Sequence, residues 1–327
     1  MCTNEMTNAL LPPVEDFAAT CVAPMSRRME RDPAVWSAIA ARASELGLHD
    51  IASGGFYHNP YCDAAALAQI IGCVGQRDAA IALRLFAGLI HSALQSRAAH
   101  PLVTAPIFPY EPCAFVMAMN VPVADSYMIR SSASGHELLL IGTTMAATRQ
   151  YMGFRGISWF APQSAPVRVM LGNISTSDYA SFLDEISLLY QCVTFGLLRA
   201  TIQYAHAYAH ERQTFGRAIV RWQAVSQKLA NMAIGYERAT ACFDHALHHP
   251  QTPGAVWQSQ CLLCTVLDDI VEGAVQVLGG HGYLEDHPVE KWMRDAQVLK
   301  TMLRELGAII ANDTNTHTDT CTARGVA

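Results

Sequence analysis

Four long amphipathic segments in the second half of the chain constrain its fold most strongly. In each segment, apolar residues recur at spacings of three and four, which places them on one face of an α-helix. The connections between the segments are short, so consecutive helices run antiparallel. The sequence therefore predicts a four-helix bundle whose helices occupy residues 178–211, 218–248, 255–278 and 288–306.

The first half of the chain carries a different pattern. Two helices are predicted within residues 14–48, and two more at 63–75 and 78–97, where Ala, Leu and Ile recur at helical spacing. From residue 113 to 173, short β-branched and aromatic runs are separated by Gly, Pro, Ser and Asn. This texture is typical of a small, mostly antiparallel β-domain.

The order of these segments defines the predicted fold class, which is mainly α with a small β-insert. An N-terminal helical domain precedes a shortened β-domain, and a C-terminal four-helix bundle is followed by a polar tail. The predicted boundaries of these four parts are residues 1–99, 100–175, 176–310 and 311–327.

The composition argues against several classes of function. Of the 327 residues, 51% are hydrophobic and 15% are charged, and the net charge is −6. Nucleic-acid binding needs clustered Lys and Arg, so no nucleic-acid partner is expected. No apolar stretch reaches the ~18 residues of a membrane span, and no secretory signal is recognised at the start. We expect a cytoplasmic protein whose weakly charged surface packs against other subunits, as a dimer or a tetramer.

The cysteines and histidines do not predict a metal site. The ten cysteines are scattered, as expected for small buried side chains in a reducing compartment. Cys261 and Cys264 form a C-x-x-C pair within a predicted helix, but no second ligand pair follows, which favours core packing. His206 and His210 share a helix face without an H-E-x-x-H pattern, so packing or a polar interface is expected.

The segment ERQTFGRAIVRWQAVSQKLANMA, at residues 211–233, combines residue types that suit a flat, anionic ligand. An arginine offers a planar fork of donors to a diphosphate. Two polar side chains add donors at the predicted start of a helix, whose dipole favours anions. An aromatic ring supplies a flat face, and a glutamine further along can reach the same ligand. These candidate binding residues are Arg212, Gln213, Thr214, Phe215 and Gln223.

A structural interpretation of the same segment is equally compatible with the residues. In that interpretation, the segment is a loop that begins a helix, and Arg212 forms a salt bridge. A second glycine-rich segment, AVQVLGGHGYLEDHPVEKWMRDA at residues 274–296, presents a similar choice. Gly279 and Gly280 either form an ordinary helix C-cap or allow a ligand to approach the backbone closely.

The order of segments and the two motifs together resemble the acyl-CoA dehydrogenase family. The resemblance is strong over residues 178–302, weaker over 33–97 and poor over 100–173. It implies FAD bound at a subunit interface, with the RQTFG motif contacting the pyrophosphate and adenosine end of a neighbouring subunit's cofactor. The implied substrate is an acyl-CoA or acyl-carrier thioester, and the implied electron acceptor is electron-transfer flavoprotein.

The resemblance also assigns roles to the second motif. It implies that four of its residues lie along the adenosine and pyrophosphate of FAD, namely Gln276, Leu278, Gly279 and Gly280. It further implies that Arg294 and Asp295 form a structural ion pair.

The sequence departs from the family in its β-domain. Family members carry stretches of the type T-E-P-x-A-G-S-D and W-I-T-N-G, which hold the isoalloxazine ring and the thioester. Here only Glu111-Pro112 is similar to the first stretch, and the second has no counterpart. The chain is therefore expected to hold a flavin ring poorly by itself.

The catalytic base is the second departure. In many members a Glu follows R-D-A at a fixed interval, and the matching position here is Leu303. Glu305 lies two residues further on and faces another side of the helix. Other members place the base on the first bundle helix, where the count leads to Ile186, next to Glu185. Both glutamates are candidate bases, although a solvated helix surface is the favoured interpretation for each.

Three hypotheses follow from these observations. In the first, the chain is one subunit of a heteromeric acyl-CoA dehydrogenase and grips the FAD of a longer, dehydrogenase-like subunit that supplies the base. In the second, it is a self-sufficient lyase, isomerase or dehydratase acting on an acyl thioester. In the third, it is a non-catalytic assembly subunit. The acyl substrate is not predicted.

Overall fold

The computed structural model describes residues 2–57, 59–97, 107–108, 116–117, 125–132, 135–142, 144–147, 152–155, 159–163 and 167–322. The chain divides into two units, Met1–Leu197 and Leu198–Ala327. This division falls inside a long helix, whereas the sequence placed a domain boundary at residues 175–176. The two units are described separately below.

Seven helices form the described N-terminal part of the first unit. Their bounds are α1 Cys2–Phe17, α2 Ala23–Arg31, α3 Trp36–Glu45, α4 Leu48–Ser53, α5 Ala64–Arg77, α6 Ala79–Phe86 and α7 Gly88–Gln95, with a π-helical turn at Ala18–Val22. Two aspartates set helix starts: Asp63 accepts a hydrogen bond from the Ala66 amide, and Asp78 from the Ile81 amide.

The predicted helices of this region are present with different bounds. The helix predicted at residues 63–75 corresponds to α5, but the one predicted at 78–97 is interrupted at Ala87 between α6 and α7. Residues 14–48 form more helices than the two predicted. The short helix α4 begins directly after Gly47, which has a φ of 70°.

The β-insert forms two small sheets. A four-stranded sheet has the order β1-β3-β4-β7, in which only β1 and β3 are parallel, and a three-stranded sheet has the order β2-β6-β5. The strand bounds are β1 Ile107–Phe108, β2 Val116–Met117, β3 Asp125–Ser132, β4 Gly135–Gly142, β5 Thr144–Ala147, β6 Trp159–Gln163 and β7 Val167–Ile174. The predicted small, mostly antiparallel β-domain is confirmed, but Glu111 and Pro112 lie outside the described residues.

Long helices follow the sheets, as predicted. They are α8 Thr176–Glu211, α9 Gln223–His248, α10 Ala255–Leu278 and α11 Pro288–Thr322, with a ribbon of β8 Gln213–Thr214 and β9 Arg217–Ala218 between α8 and α9. In the second unit, α10 packs against both α9 and α11. Its buried residues recur at helical spacing and include Leu263, Val266, Leu267 and Ile270.

The helix α11 differs from its prediction at the C-terminal end. It continues to Thr322, far beyond the predicted end at residue 306 and into the predicted polar tail. No proline or glycine follows Gly307 before Gly325, so nothing in the local sequence breaks the helix earlier. In the part of the chain that the structure describes, no helix is long and apolar enough to span a membrane.

Candidate cofactor site

The RQTFG motif forms a tight β-hairpin. The strands β8 and β9 pair antiparallel, with Thr214 opposite Arg217, so Phe215 and Gly216 are the two residues of the turn. Their φ angles are 51° and 76°, and positive φ at both positions defines a type I′ turn. The sequence placed Gln213 and Thr214 at the start of a helix, which is wrong. They lie in a strand, and α9 begins only at Gln223.

Phe215 combines backbone strain with exposure. A left-handed conformation costs a non-glycine residue roughly 1–2 kcal/mol. Its ring is 94% exposed, although the burial of such a ring would favour folding. Strain and an exposed aromatic ring at one position indicate that the hairpin tip serves binding rather than the stability of this unit.

Trp222 packs against the hairpin. Its indole Nε1 donates a hydrogen bond to Thr214 Oγ1 at 3.2 Å, and the Phe215 ring meets the indole edge-on at 6.2 Å. The Arg217 guanidinium lies 3.5 Å from the centre of the indole ring, a cation–π contact. The sequence did not single out Trp222 or Arg217. The strand register that brings them to Thr214 becomes visible only once the hairpin is known.

Arg212 is available for a ligand. Its backbone amide donates to the Tyr208 carbonyl at 2.8 Å, and this bond ends α8. Its side chain is exposed and forms no ion pair with any described residue. The structural interpretation, in which Arg212 forms a salt bridge, therefore has no support in the described part of the chain.

The second motif places two open glycines directly after α10. Gly279 and Gly280 are exposed, and no atom lies within 4 Å of a Cβ built at either position. Gly279 has a φ of 60°, and its amide donates to the Val275 carbonyl. Of the other two predicted residues, Gln276 is exposed but Leu278 is buried in the core. The backbone of the glycine pair, rather than Leu278, is therefore accessible to a ligand.

Tyr208 connects the two motifs within the second unit. Its carbonyl accepts the Arg212 amide, while its hydroxyl shares a 2.8 Å hydrogen bond with His281 Nδ1. The same hydroxyl lies 3.5 Å from the Leu278 carbonyl. The hairpin and the glycine pair are thus joined through one residue. We call the surface formed by Arg212, Gln213, Phe215, Gly279 and Gly280 the hairpin–glycine face.

The glycines of the second motif allow binding and folding to be tested separately. We expect Gly280→Ala to leave the midpoint of thermal unfolding unchanged, because its Cβ points into open space, but to weaken binding of ADP about tenfold if a ligand approaches the backbone there. In Gly282→Ala, by contrast, the Cβ meets the Val275 carbonyl oxygen at 2.8 Å, and overpacking costs about 1–3 kcal/mol. Calorimetry measures the midpoint of thermal unfolding and titration measures the affinity for ADP, so the two effects can be distinguished. Equal effects of both variants on both measurements would contradict this assignment.

The position that the resemblance assigns to the catalytic base lies in the hydrophobic core. Leu303 is fully buried in α11, and its backbone carbonyl accepts a 2.7 Å hydrogen bond from the side-chain Nε2 of the buried Gln260. Glu305 is half-buried on the same helix, roughly 200° around the axis from Leu303. The uninterrupted helix therefore does not turn Glu305 towards the position that Leu303 occupies.

Glu185 is held in a buried ion pair within the first unit. One carboxylate oxygen accepts from Arg97 at 2.7 Å, and the other accepts from the Phe56 amide at 3.2 Å. Arg97 also donates to Ser181 Oγ at 2.7 Å. Glu185 is therefore not on a solvated helix surface, and its neighbour Ile186 is buried as well. The contacts favour a structural role for Glu185.

Because Asp184, next to this pair, has a raised pKa, we expect the free energy of unfolding to depend on pH. Burial, with a smaller contribution from Glu185, raises the pKa of Asp184 to about 6. Since the folded state then binds the proton more tightly than the unfolded state, the ionised carboxylate destabilises the fold above pH 6, and this cost disappears as the pH falls to 4. We expect Asp184→Asn to raise the free energy of unfolding by about 1–2 kcal/mol at pH 8 and not at pH 4. Urea unfolding at both pH values measures this, and an equal gain at both would contradict it.

No group of three or more potential metal ligands occurs among the residues that the structure describes. His206 and His210 are exposed and contact each other, with ring centres 4.5 Å apart, so they are not packed in the core. Cys261 is exposed, which makes the core prediction wrong for that residue, whereas Cys264 is half-buried and burial raises its pKa to about 11.

Arg294 and Asp295 are both in ion pairs, but each has its own partner on α11. Arg294 contacts Glu290 at 2.6 Å, and Asp295 contacts Lys291 at 2.5 Å. Both pairs join residues four apart on one helix face. Lys291 and Asp295 are almost fully buried, so this second pair lies within the packed interior of the unit.

Comparisons with known proteins agree with the predicted family and fold. The model of the acyl-CoA dehydrogenase C-terminal domain matches residues 181–303. Benzylmalonyl-CoA dehydrogenase of Aromatoleum aromaticum is 33% identical over 202 residues, which are 54% of this chain and 52% of that protein. The short-chain specific acyl-CoA dehydrogenase of Clostridium acetobutylicum is 29% identical over 204 residues, which are 56% and 54% of the two chains. The chain thus spans about half the length of these relatives.

A solved structure extends the likeness to nearly the whole chain. Butyryl-CoA dehydrogenase from Megasphaera elsdenii superimposes with a TM-score of 0.75 at 18% identity, covering 95% of this chain and 98% of that chain. At this identity the likeness concerns the fold alone. It confirms the predicted class of an N-terminal helical domain, a small β-domain and a C-terminal four-helix bundle.

Proposed function

We propose that this chain, which belongs to the acyl-CoA dehydrogenase family, uses its hairpin–glycine face to bind the adenosine and pyrophosphate end of FAD. The observation that carries the proposal is the pairing of an exposed guanidinium, that of Arg212, with a strained and exposed aromatic ring, that of Phe215. Through Tyr208 these residues are joined to a glycine pair with open space above its backbone.

Each part of the face suits one part of the ligand. The guanidinium of Arg212 can bind two phosphate oxygens at once, since its donors form a planar fork. The Phe215 ring offers a stacking surface for the adenine, and the indole of Trp222 keeps the hairpin rigid beneath it. At Gly279 and Gly280 the missing side chains let a phosphate or ribose approach the backbone closely. When bound, FAD supplies the acceptor for a hydride from the acyl chain.

We further propose that the chain contributes half of a catalytic site. Leu303 cannot accept a proton. The carboxylate of Glu185 forms an ion pair with Arg97 and accepts a hydrogen bond from the Phe56 amide. Removal of the α-proton from an acyl-CoA or acyl-carrier thioester is therefore assigned to a longer, dehydrogenase-like subunit that also holds the flavin ring. Electron-transfer flavoprotein is the proposed electron acceptor, and the cytoplasm the proposed location.

Absorbance near 450 nm tests this proposal. The full chain is purified alone and after co-expression with a longer acyl-CoA dehydrogenase-like chain, and flavin per protein is determined by absorbance. We expect a complex with one FAD per pair of chains and thioester dehydrogenation only in the complex. A flavin-loaded, fully active chain without a partner would contradict the half-site.

Two further outcomes of that experiment correspond to the other hypotheses. A colourless chain that alone converts an acyl thioester would identify a lyase, isomerase or dehydratase. A complex whose flavin content and activity are unchanged by Arg212→Ala would identify a non-catalytic assembly subunit. Both outcomes would overturn the proposed function.

A further inference from the structure

We propose that Tyr204 and Tyr208 are positioning residues, which hold the segment 279–287 in its ligand-binding conformation through His281 and His287. We call these four side chains the tyrosine–histidine cluster. The inference rests on the proposed function for its consequence in binding. Its structural part, the tethering of the segment, stands on contacts within the second unit alone.

The cluster consists of two hydrogen-bonded pairs stacked on each other. Tyr208 shares a 2.8 Å hydrogen bond with His281 Nδ1, and Tyr204 shares one of 2.8 Å with His287 Nδ1. The two imidazoles lie parallel, with ring centres 5.1 Å apart and an angle of 11° between their planes. The Tyr208 ring meets both imidazoles edge-on, at 5.8 and 5.9 Å. Each tyrosine therefore fixes one end of the same short segment.

These side-chain hydrogen bonds matter because the backbone of the segment forms few hydrogen bonds. After Gly279, the chain forms a 3₁₀ turn to Tyr283, followed by single backbone bonds from Leu284 to His281 and from His287 to Leu284. Gly279 donates its amide hydrogen to the Val275 carbonyl, and no atom lies within 4 Å of a Cβ built at Gly279 or Gly280. A short 3₁₀ turn with poor hydrogen-bond geometry is weak support for a ligand site. The side-chain bonds at His281 and His287 therefore add restraints to these backbone bonds and to the packing of Gly282 on Val275.

The position of Tyr208 gives the cluster a role beyond packing. Its backbone carbonyl accepts from the Arg212 amide and its hydroxyl bonds to His281, so one residue constrains the distance between the Arg212 backbone and the segment of the glycine pair. A diphosphate contacted by both groups requires that distance to be maintained, since preorganised donors lower the cost of ordering on binding. Tyr204 adds rigidity from the next helical turn, where its ring also meets Trp292 edge-on at 5.8 Å.

Removing only the hydroxyl groups separates positioning from packing. Tyr208→Phe and Tyr204→Phe keep the aromatic rings but lose the hydrogen bonds to the imidazoles. A neutral hydrogen bond corresponds to about a three- to tenfold change in an equilibrium constant. We therefore expect ADP, the adenosine diphosphate half of FAD, to bind about three- to tenfold more weakly to each variant, and hydrogen exchange in residues 279–287 to accelerate by a similar factor.

Two sets of variants serve as controls. Tyr283→Phe removes a hydroxyl from the same segment, but that side chain is 66% exposed, so exchange and ADP binding should remain at wild-type values. His281→Asn keeps a polar amide near the position of Nδ1, whereas His281→Ala does not. We expect the asparagine variant to retain more ADP affinity than the alanine variant, a difference that loss of packing alone would not produce.

The experiment combines hydrogen–deuterium exchange of the ligand-free full chain with ADP titration by calorimetry. The inference is supported if both tyrosine variants accelerate exchange in residues 279–287 and weaken ADP binding while Tyr283→Phe does neither. Unchanged exchange, or faster exchange with unchanged ADP affinity, would overturn it. If the wild-type chain does not bind ADP at all, the proposed function fails, and exchange alone then decides whether the cluster tethers the segment.

Discussion

Replacing Gly196 with alanine is expected to lower the free energy of unfolding by about 3 kcal/mol. The helices α5 and α8 are in backbone contact at this position. A Cβ on Gly196 would lie 2.3 Å from the Gly72 carbonyl oxygen and 2.8 Å from the Gln76 amide nitrogen. Neither atom belongs to a flexible side chain, so the two helices themselves must separate. Urea unfolding followed by circular dichroism measures the loss.

The same helix contact provides a matched control. A Cβ on Gly72 would lie 3.6 Å from the nearest atom, the Cys192 carbonyl oxygen, which is an ordinary contact. Since alanine favours a helix over glycine by up to about 1 kcal/mol, Gly72→Ala should be neutral or slightly stabilising. Similar losses of stability in both variants would show that backbone contact at Gly196 is not the cause.

Arg212→Ala is the second substitution with a large expected effect. We expect it to weaken ADP binding about 10- to 100-fold, because a hydrogen bond to a charged group contributes roughly 1.5–3 kcal/mol. The midpoint of thermal unfolding should remain at the wild-type value, since the side chain is exposed and pairs with no described residue. Arg212→Lys keeps the charge but loses the planar fork, so an intermediate affinity is expected.

Arg221 is a suitable control for charge. It is exposed in the 3₁₀ turn that precedes α9 and lies outside the hairpin–glycine face. Arg221→Ala removes the same charge and should change ADP affinity less than about twofold, since exposed charges are screened over roughly 8–10 Å. An equal loss of affinity in both arginine variants would mean that net charge, rather than the geometry of Arg212, attracts the ligand.

The sequence was sufficient to predict the architecture because that depends on local periodicity. Helical spacing identified the long segments, and short runs separated by turn residues identified the β-insert. Periodicity did not indicate where helices stop when no glycine or proline marks the end. Thus α11 passes its predicted end, and the helix predicted at residues 78–97 is broken at Ala87.

The sequence proposed residues for the candidate site but not their geometry. The composition of RQTFG predicted a diphosphate ligand at the start of a helix, but the motif forms a hairpin, and phenylalanine is not a usual residue for its type I′ turn. Only tertiary structure shows that Phe215 takes up a positive φ there. The tyrosine–histidine cluster was also missed, since Tyr208 and His281 lie far apart in sequence and share no periodic pattern.

The same limit applies to the candidate bases. Sequence spacing identified Glu185 and Glu305 as the acidic residues nearest to the expected positions. Spacing cannot reveal that Arg97, in the turn after α7, forms an ion pair with the carboxylate of Glu185. It also cannot reveal that α11 runs through Leu303 without a break, which keeps Glu305 on another side of the helix.

Binding of the two halves of FAD to the purified full chain tests the central claim most directly. ADP represents the half that the hairpin–glycine face is proposed to hold, and FMN the half assigned to the longer subunit. Titration of each by calorimetry is predicted to give saturable binding of ADP with a dissociation constant at least ~10-fold below that of FMN, a difference of about 1.4 kcal/mol. Binding of FMN as tight as that of ADP, or no binding of ADP, would contradict the account.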